Sequence, residues 1–84
     1  SAIKKFNDQD LISCIEKIRK WVNDKNFDRE LIHLVVGTMV TLIFLEKYMK
    51  ESYGMWKLLS KKALKSLNSI NPNINWIMII KSMI

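Results

Sequence analysis

Apolar residues recur along this chain with the 3.6-residue period of α-helices, and interruptions of the period divide the chain into four segments. In the first segment one apolar stripe faces a polar side, and its members are Leu11, Ile15, Ile18 and Val22. Asn7 or Asp8 is the expected N-cap of this helix. Residues 23–26, rich in Asn and Asp, interrupt the period and predict its end.

The second segment is apolar nearly all round, since residues 31–45 contain no Asp, Glu, Lys or Arg. Asp28 is the expected N-cap, and Glu30 in the first turn suits the helix dipole. The Tyr-Gly pair at residues 53–54 offers a stop. Fifteen uncharged residues fall short of the roughly 18 that a membrane span needs. We therefore expect a buried central helix surrounded by the others, and no membrane span.

The third and fourth segments are separated by Pro72 and its neighbouring asparagines, which favour a turn. The core stripe expected on the third helix consists of Trp56, Leu59, Ala63, Leu67 and Ile70. Trp56 is expected to anchor this helix to the core. A short last helix is expected from about residue 73 to residue 84, with one apolar side made of Trp76, Ile79, Ile80 and Met83.

Composition supports an all-α fold, because two glycines and one proline among 84 residues are too few for the turns of a β-sandwich or barrel. The predicted architecture is a compact four-helix bundle with a central buried helix. A chain of this length is expected to form one domain, residues 1–84. Residues 1–6 are expected to be flexible or derived from cloning, and no signal peptide is recognised.

Catalytic chemistry is not expected, so we predict that the domain is not an enzyme and has no cofactor or small-molecule substrate. Cys14 and His33 are the one conceivable nucleophile and base, and core or rim positions explain both. One Cys and one His cannot supply a metal site. The single Cys also favours a reducing compartment, and we predict a cytoplasmic location. Gly37, within a helix, predicts close approach of a neighbouring helix.

Positive charge is concentrated in the second half of the chain, which has a net charge of +6. Residues 52–84 contain five lysines and no acidic residue. A basic face suits an acidic protein, an anionic lipid or a nucleic acid, and a solvated face without a partner is an equally good interpretation. The aromatic residues lie on the core stripe rather than among the lysines, which disfavours stacking on single-stranded nucleic acid.

Apolar side chains on otherwise polar helix faces indicate a candidate docking surface. Leu58 lies among the lysines of the third helix, and Ile77 lies on the outer side of the last one. The full set of candidate partner-binding residues is Leu58, Lys61, Lys65, Ile74, Ile77, Met78 and Lys81.

Two stretches of the chain resemble the signature of the MINT domain, the major vault protein interacting domain. The first stretch matches at Gly37, Thr38, Leu42, Phe44, Leu45 and Glu46. The second matches at Trp56, Leu58, Lys62 and Ala63. Phe27 and Asp28 are similar to the residues that open the domain, so residues 27–84 form the MINT-like part. The pattern departs from the family at Val36, Thr41 and Met55.

The resemblance implies a non-catalytic protein–protein interaction module that docks a larger parent protein onto a partner. MINT domains form the C-terminal region of vault poly(ADP-ribose) polymerase and of proteins with VIT and von Willebrand A domains. The implied partner is therefore major vault protein in the vault particle. A basic helical nucleic-acid-binding domain is the alternative, and it predicts steep salt dependence.

Overall fold

A computed structural model describes residues 8–84, which form four α-helices joined by short connections. The helices are α1 (Asp8–Asn23), α2 (Arg29–Tyr48), α3 (Tyr53–Ile70) and α4 (Trp76–Ser82). One 3₁₀ turn, Lys50–Ser52, links α2 to α3, and none of residues 8–84 lies in a β-strand. The predicted all-α fold with four helices is confirmed. The expectations for residues 1–6 and for a cap at Asn7 lie outside the described residues.

The connection between α1 and α2 lies where the sequence predicts it. Residues 24–26 form a turn in which Asn26 has a φ of 55°, in the left-handed region that asparagine tolerates better than most residues. Asp28 is the N-cap of α2, as expected. Its main-chain carbonyl, rather than its side chain, accepts hydrogen bonds from the N–H groups of Leu31 and Ile32 at 2.9 and 3.2 Å.

The end of α2 differs from the prediction. The helix stops at Tyr48, and Gly54 is the second residue of α3 rather than a stop signal. No described glycine has a positive φ, so Gly54 takes the backbone conformation of any helical residue. The indole N–H of Trp56 donates to the carbonyl of Met49 at 2.8 Å, which fixes the connection. Trp56 is buried, although it is not a member of the core cluster, so its predicted role as the anchor of α3 to the core stays a prediction.

The last helix starts later than predicted, at Trp76. Two asparagine side chains shape the turn before it. The Oδ1 atom of Asn71 accepts from the N–H of Asn73 at 3.0 Å, and that of Asn75 accepts from the N–H of Met78 at 3.2 Å. Asn75 is therefore the N-cap of α4.

The core is built around one side of α2, with contributions from every helix. Its buried members are Ile18, Val22, Val35, Met39, Leu42, Ile43, Leu67, Trp76 and Ile80. An aromatic cluster holds α4 against α1 and the turn that follows α1. The ring of Trp76 lies 5.5 Å from that of Trp21 and 6.0 Å from that of Phe27, between centroids.

The packing leaves one side of α2 open. Helix α2 contacts α1, α3 and α4, and α4 lies on the side of α2 that carries Leu42 and Glu46. On another side, Leu34, Gly37 and Thr41 are exposed. The prediction of a helix surrounded by other helices is therefore wrong for this side. The physical reason is that α4, with seven residues, covers one side only, and none of the described residues covers the other.

Candidate docking surfaces

All but one of the predicted docking residues are exposed, and these are Leu58, Lys61, Lys65, Ile77, Met78 and Lys81. Leu58 is 72% exposed and Ile77 is 52% exposed. Ile74 is half-buried and packs against the core. Its predicted position on the outer side of the last helix is wrong, because α4 begins at Trp76 and Ile74 lies in the turn before it.

The exposed docking residues form two groups rather than one continuous surface. Ile77 and Lys81 line a pocket together with Ser60 and Leu64 of α3. Leu58 precedes Ser60 by two residues, which places its side chain about 160° around the helix from that pocket. Leu58 therefore lies on the outer side of α3, among the lysines of that helix.

A groove of about 400 Å³, open to solvent, runs between α2 and α3. Leu34 of α2 lies on one side of the groove and Leu59 of α3 on the other, and these side chains are 52% and 54% exposed. The other lining residues are His33, Gly37, Thr38, Thr41, Leu42 and Ala63. The sequence analysis did not predict this groove. It assigned Leu34 to a helix buried on all sides and Leu59 to a core stripe, and the exposure of Leu59 shows that assignment to be wrong.

Gly37 lies where this groove meets a second one, between α1 and α2. Arg19 and Asn23 form the α1 side of the second groove. Apart from its chain neighbours and the backbone of its own helix, a Cβ atom added to Gly37 would have no described atom within 4 Å. Close approach of a neighbouring helix, the predicted reason for this glycine, is therefore wrong for residues 8–84.

Helix α3 is basic, and one of its lysines, Lys62, lies beside the α2–α3 groove. Its exposed cations are Lys57, Lys61, Lys62 and Lys65, and no acidic residue follows Glu51 in the sequence. Lys62 follows Leu59 by three residues, so the two side chains are neighbours on the helix surface. Met55, four residues before Leu59, is also exposed on this side. Exposed apolar side chains, Met55 and Leu59, therefore lie close to the positive charge of Lys62 on α3.

The conceivable catalytic pair, Cys14 and His33, is not brought together. Cys14 lines a pocket against Val40 and Phe44, and burial raises the pKa of its thiol. His33 lies beside the grooves, seven residues before Val40, or about 10 Å along the helix axis. In the part of the chain that the structure describes, no three residues of the types His, Cys, Asp and Glu are grouped so that they could hold a metal ion.

Helix α2 has the length and composition of a membrane span. It is 20 residues long, and an 18-residue window within it has a mean hydropathy of 1.5. The helix is longer than the uncharged run of residues 31–45, because it also includes charged residues at both ends. The core helices of soluble proteins, which are mostly buried, and signal sequences meet the same criteria, and 22% of this window is buried.

Comparison of the chain with protein-family models, curated proteins and solved structures finds no match. The resemblance to the MINT domain therefore rests on the residues of the two stretches alone. What the structure itself contributes is the placement of apolar and basic side chains: one group at the α3–α4 pocket, one around Leu58, and one along the α2–α3 groove.

Proposed function

We propose that this domain is a non-catalytic docking module that brings a larger parent protein to a protein partner in the cytoplasm. One observation supports the proposal above others: large apolar side chains remain exposed beside lysines on a small domain. They are Leu34, Met55, Leu58, Leu59, Ile77 and Met78. Single exposed apolar residues are common, whereas groups of them indicate interfaces.

The chemistry of these surfaces suits binding rather than catalysis. The apolar side chains would supply affinity, because a partner removes them from water. The lysines would add orientation and association rate more than affinity. Cys14 and His33, the one conceivable nucleophile and base, line different pockets.

The partner proposed first is major vault protein, and its support is the sequence resemblance to the MINT domain. The parent would then be a larger protein that this domain recruits to vault particles. This part of the proposal is separable from the docking function, since another protein with a matching surface would use the same groups of side chains.

The test is equilibrium binding of purified major vault protein to the immobilised domain, with nucleic acid as the competing ligand. We expect saturable binding, and we expect at least one of two variants, Leu34→Asp in the groove and Ile77→Asp on α4, to weaken it by more than about tenfold. Circular dichroism must show that each variant remains folded. Loss with neither variant would contradict the docking proposal, and no binding at all would remove major vault protein as the partner.

The nucleic-acid alternative predicts the opposite order for the loss of binding among the variants. It predicts that Lys61→Ala and Lys65→Ala weaken binding to an oligonucleotide more than Leu34→Asp or Ile77→Asp, with steep salt dependence. Affinity tighter than about 1 µM at physiological salt, with that ranking, would replace the docking proposal.

A further inference from the structure

The uncharged surface of α2 is larger than the surface that its neighbours bury. Residues 31–45 carry no Asp, Glu, Lys or Arg, yet the fully buried residues of α2 are only Val35, Met39, Leu42 and Ile43. By contrast, the exposed side of α1 includes Glu16, Lys17 and Lys20, as expected for a helix face in water. The open side of α2 therefore lacks the formal charges of a helix face that is fully solvated.

Gly37 provides a second, independent observation at the centre of this open side. Glycine within a helix is less favourable than alanine, because it loses more backbone freedom on folding. Neither a turn nor a positive φ requires it here, and a Cβ would meet no described atom. What the missing side chain does provide is room for another backbone to approach α2 closely.

The hydroxyl group of Thr41, one turn after Gly37, already has a hydrogen-bond acceptor within the helix. Its hydroxyl donates to the carbonyl of Gly37 at 2.9 Å. Because that donor is satisfied within the helix, an apolar group could cover Thr41 without leaving an unpaired hydroxyl. The groove between Leu34 and Leu59 is lined by no Asp, Glu, Lys or Arg, so a partner can cover it without burying one of these side chains.

We propose that the α2–α3 groove binds an amphipathic α-helix of the partner, with an apolar stripe in the groove and an acidic flank facing α3. This rests on the docking function proposed above and names the element that docks. Two neighbouring helices with a groove between them are a common receptor for a third helix, which inserts anchors at i, i+4 and i+7. Lys62, beside Leu59, supplies the charge complementarity, whereas Lys57 and Lys61 lie about 160° around α3 from Leu59.

The charge argument also selects this occupant over a second copy of the chain. Each copy carries a net charge of +6, so self-association would bring two strongly basic domains together. The groove spans Leu34 to Thr41, about 10 Å along the axis of α2, which is enough for about three anchors. We expect a dissociation constant between about 1 and 100 µM.

The experiment is selection from an unbiased display library of peptides about 18 residues long against the wild-type domain. We expect enriched peptides to have apolar residues at helical spacing with an excess of Asp and Glu. Gly37→Leu should reduce their affinity more than about tenfold while leaving the melting temperature equal or higher, because leucine favours helix. Ile77→Asp, in the pocket between α3 and α4, should leave their affinity unchanged.

Other results would overturn the proposal in distinguishable ways. A basic or non-amphipathic consensus, no enrichment, or equal affinity for the Gly37→Leu variant would each contradict it. Self-association of the free domain that Gly37→Leu abolishes would assign the groove to a second copy. Sedimentation with phosphatidylserine vesicles that Gly37→Leu abolishes would assign it to a membrane. If major vault protein binds the wild type and the Gly37→Leu variant equally, the docking function stands and the groove is not its site.

Discussion

The two sides of α2 come from the same uncharged stretch of sequence but have different surroundings. Val35, Met39 and Leu42 are buried against the other helices, whereas Leu34 and Gly37 border an open groove. Neither side carries a formal charge between residues 31 and 45, although the open side includes His33, Gly37 and Thr41 where the buried side has large apolar residues. The absence of charge therefore identifies surface that is suited to burial, and it does not identify what buries it.

The largest effect is expected from Leu42→Ala on the buried side of α2, and Leu34→Ala on the open side is its matched control. Leu42→Ala should lower the free energy of unfolding by about 2–5 kcal/mol, because Leu42 is 2% exposed and its removal leaves a cavity. Leu34→Ala, the same change on the open side, should change it by less than about 0.5 kcal/mol. Urea denaturation monitored by circular dichroism measures both. Equal losses would mean that the open side is covered in solution.

A second comparison concerns α4, the helix that packs on the buried side of α2. Trp76→Phe should cost about 1–3 kcal/mol, because it removes the hydrogen bond from the indole N–H to the carbonyl of Asn71 at 3.0 Å and leaves that carbonyl without this donor. Thermal and chemical denaturation should agree on the value. If the substitution leaves the free energy of unfolding unchanged, the aromatic cluster alone holds α4 in place.

Loosening α4 at its N-terminus should have a smaller effect. Asn75→Ala removes the side chain that accepts from the N–H of Met78, so we expect a loss of about 1 kcal/mol. Amide hydrogen exchange should accelerate first in α4. Asp28→Ala is the matched control, since the Asp28 side chain makes no capping hydrogen bond and should matter less.

The smallest expected effect is a gain. Gly37→Ala should raise the free energy of unfolding by up to about 1 kcal/mol, because alanine favours helix and its methyl group would meet no described atom. Differential scanning calorimetry of the two proteins measures the shift. A decrease in melting temperature would show that something in the free domain already occupies the space beside Gly37.

The helices themselves could be predicted from sequence because their signals are local. The stripe of α1, the cap at Asp28 and the turn near Pro72 depend on residues a few positions apart, and all lie where they were expected. Gly54 was misinterpreted for the opposite reason. A glycine after an apolar run commonly ends a helix, but here the connection is fixed by Trp56, which reaches back to Met49.

The candidate site was harder to predict, because exposure depends on the path of distant segments. Leu34 and Leu59 are on different helices, and their shared groove exists only because α4 packs on another side of α2. Ile74 shows the same limit at short range. A shift of three residues in the start of α4 moves it from a predicted outer face to the core. Gly37 was the residue in the sequence that signalled the groove, although it was assigned to an internal contact.

The two buried tryptophans also affect how the domain folds. Each indole N–H reaches a carbonyl in the connection just before its own helix: Trp56 bonds to Met49 and Trp76 to Asn71, across seven and five residues. Closing such short loops loses little chain entropy, and bundles rich in local contacts reach the native state on the microsecond to millisecond timescale. Each of the last two helices can therefore assemble with its preceding turn as a local nucleus, before the long-range packing on α2 is complete.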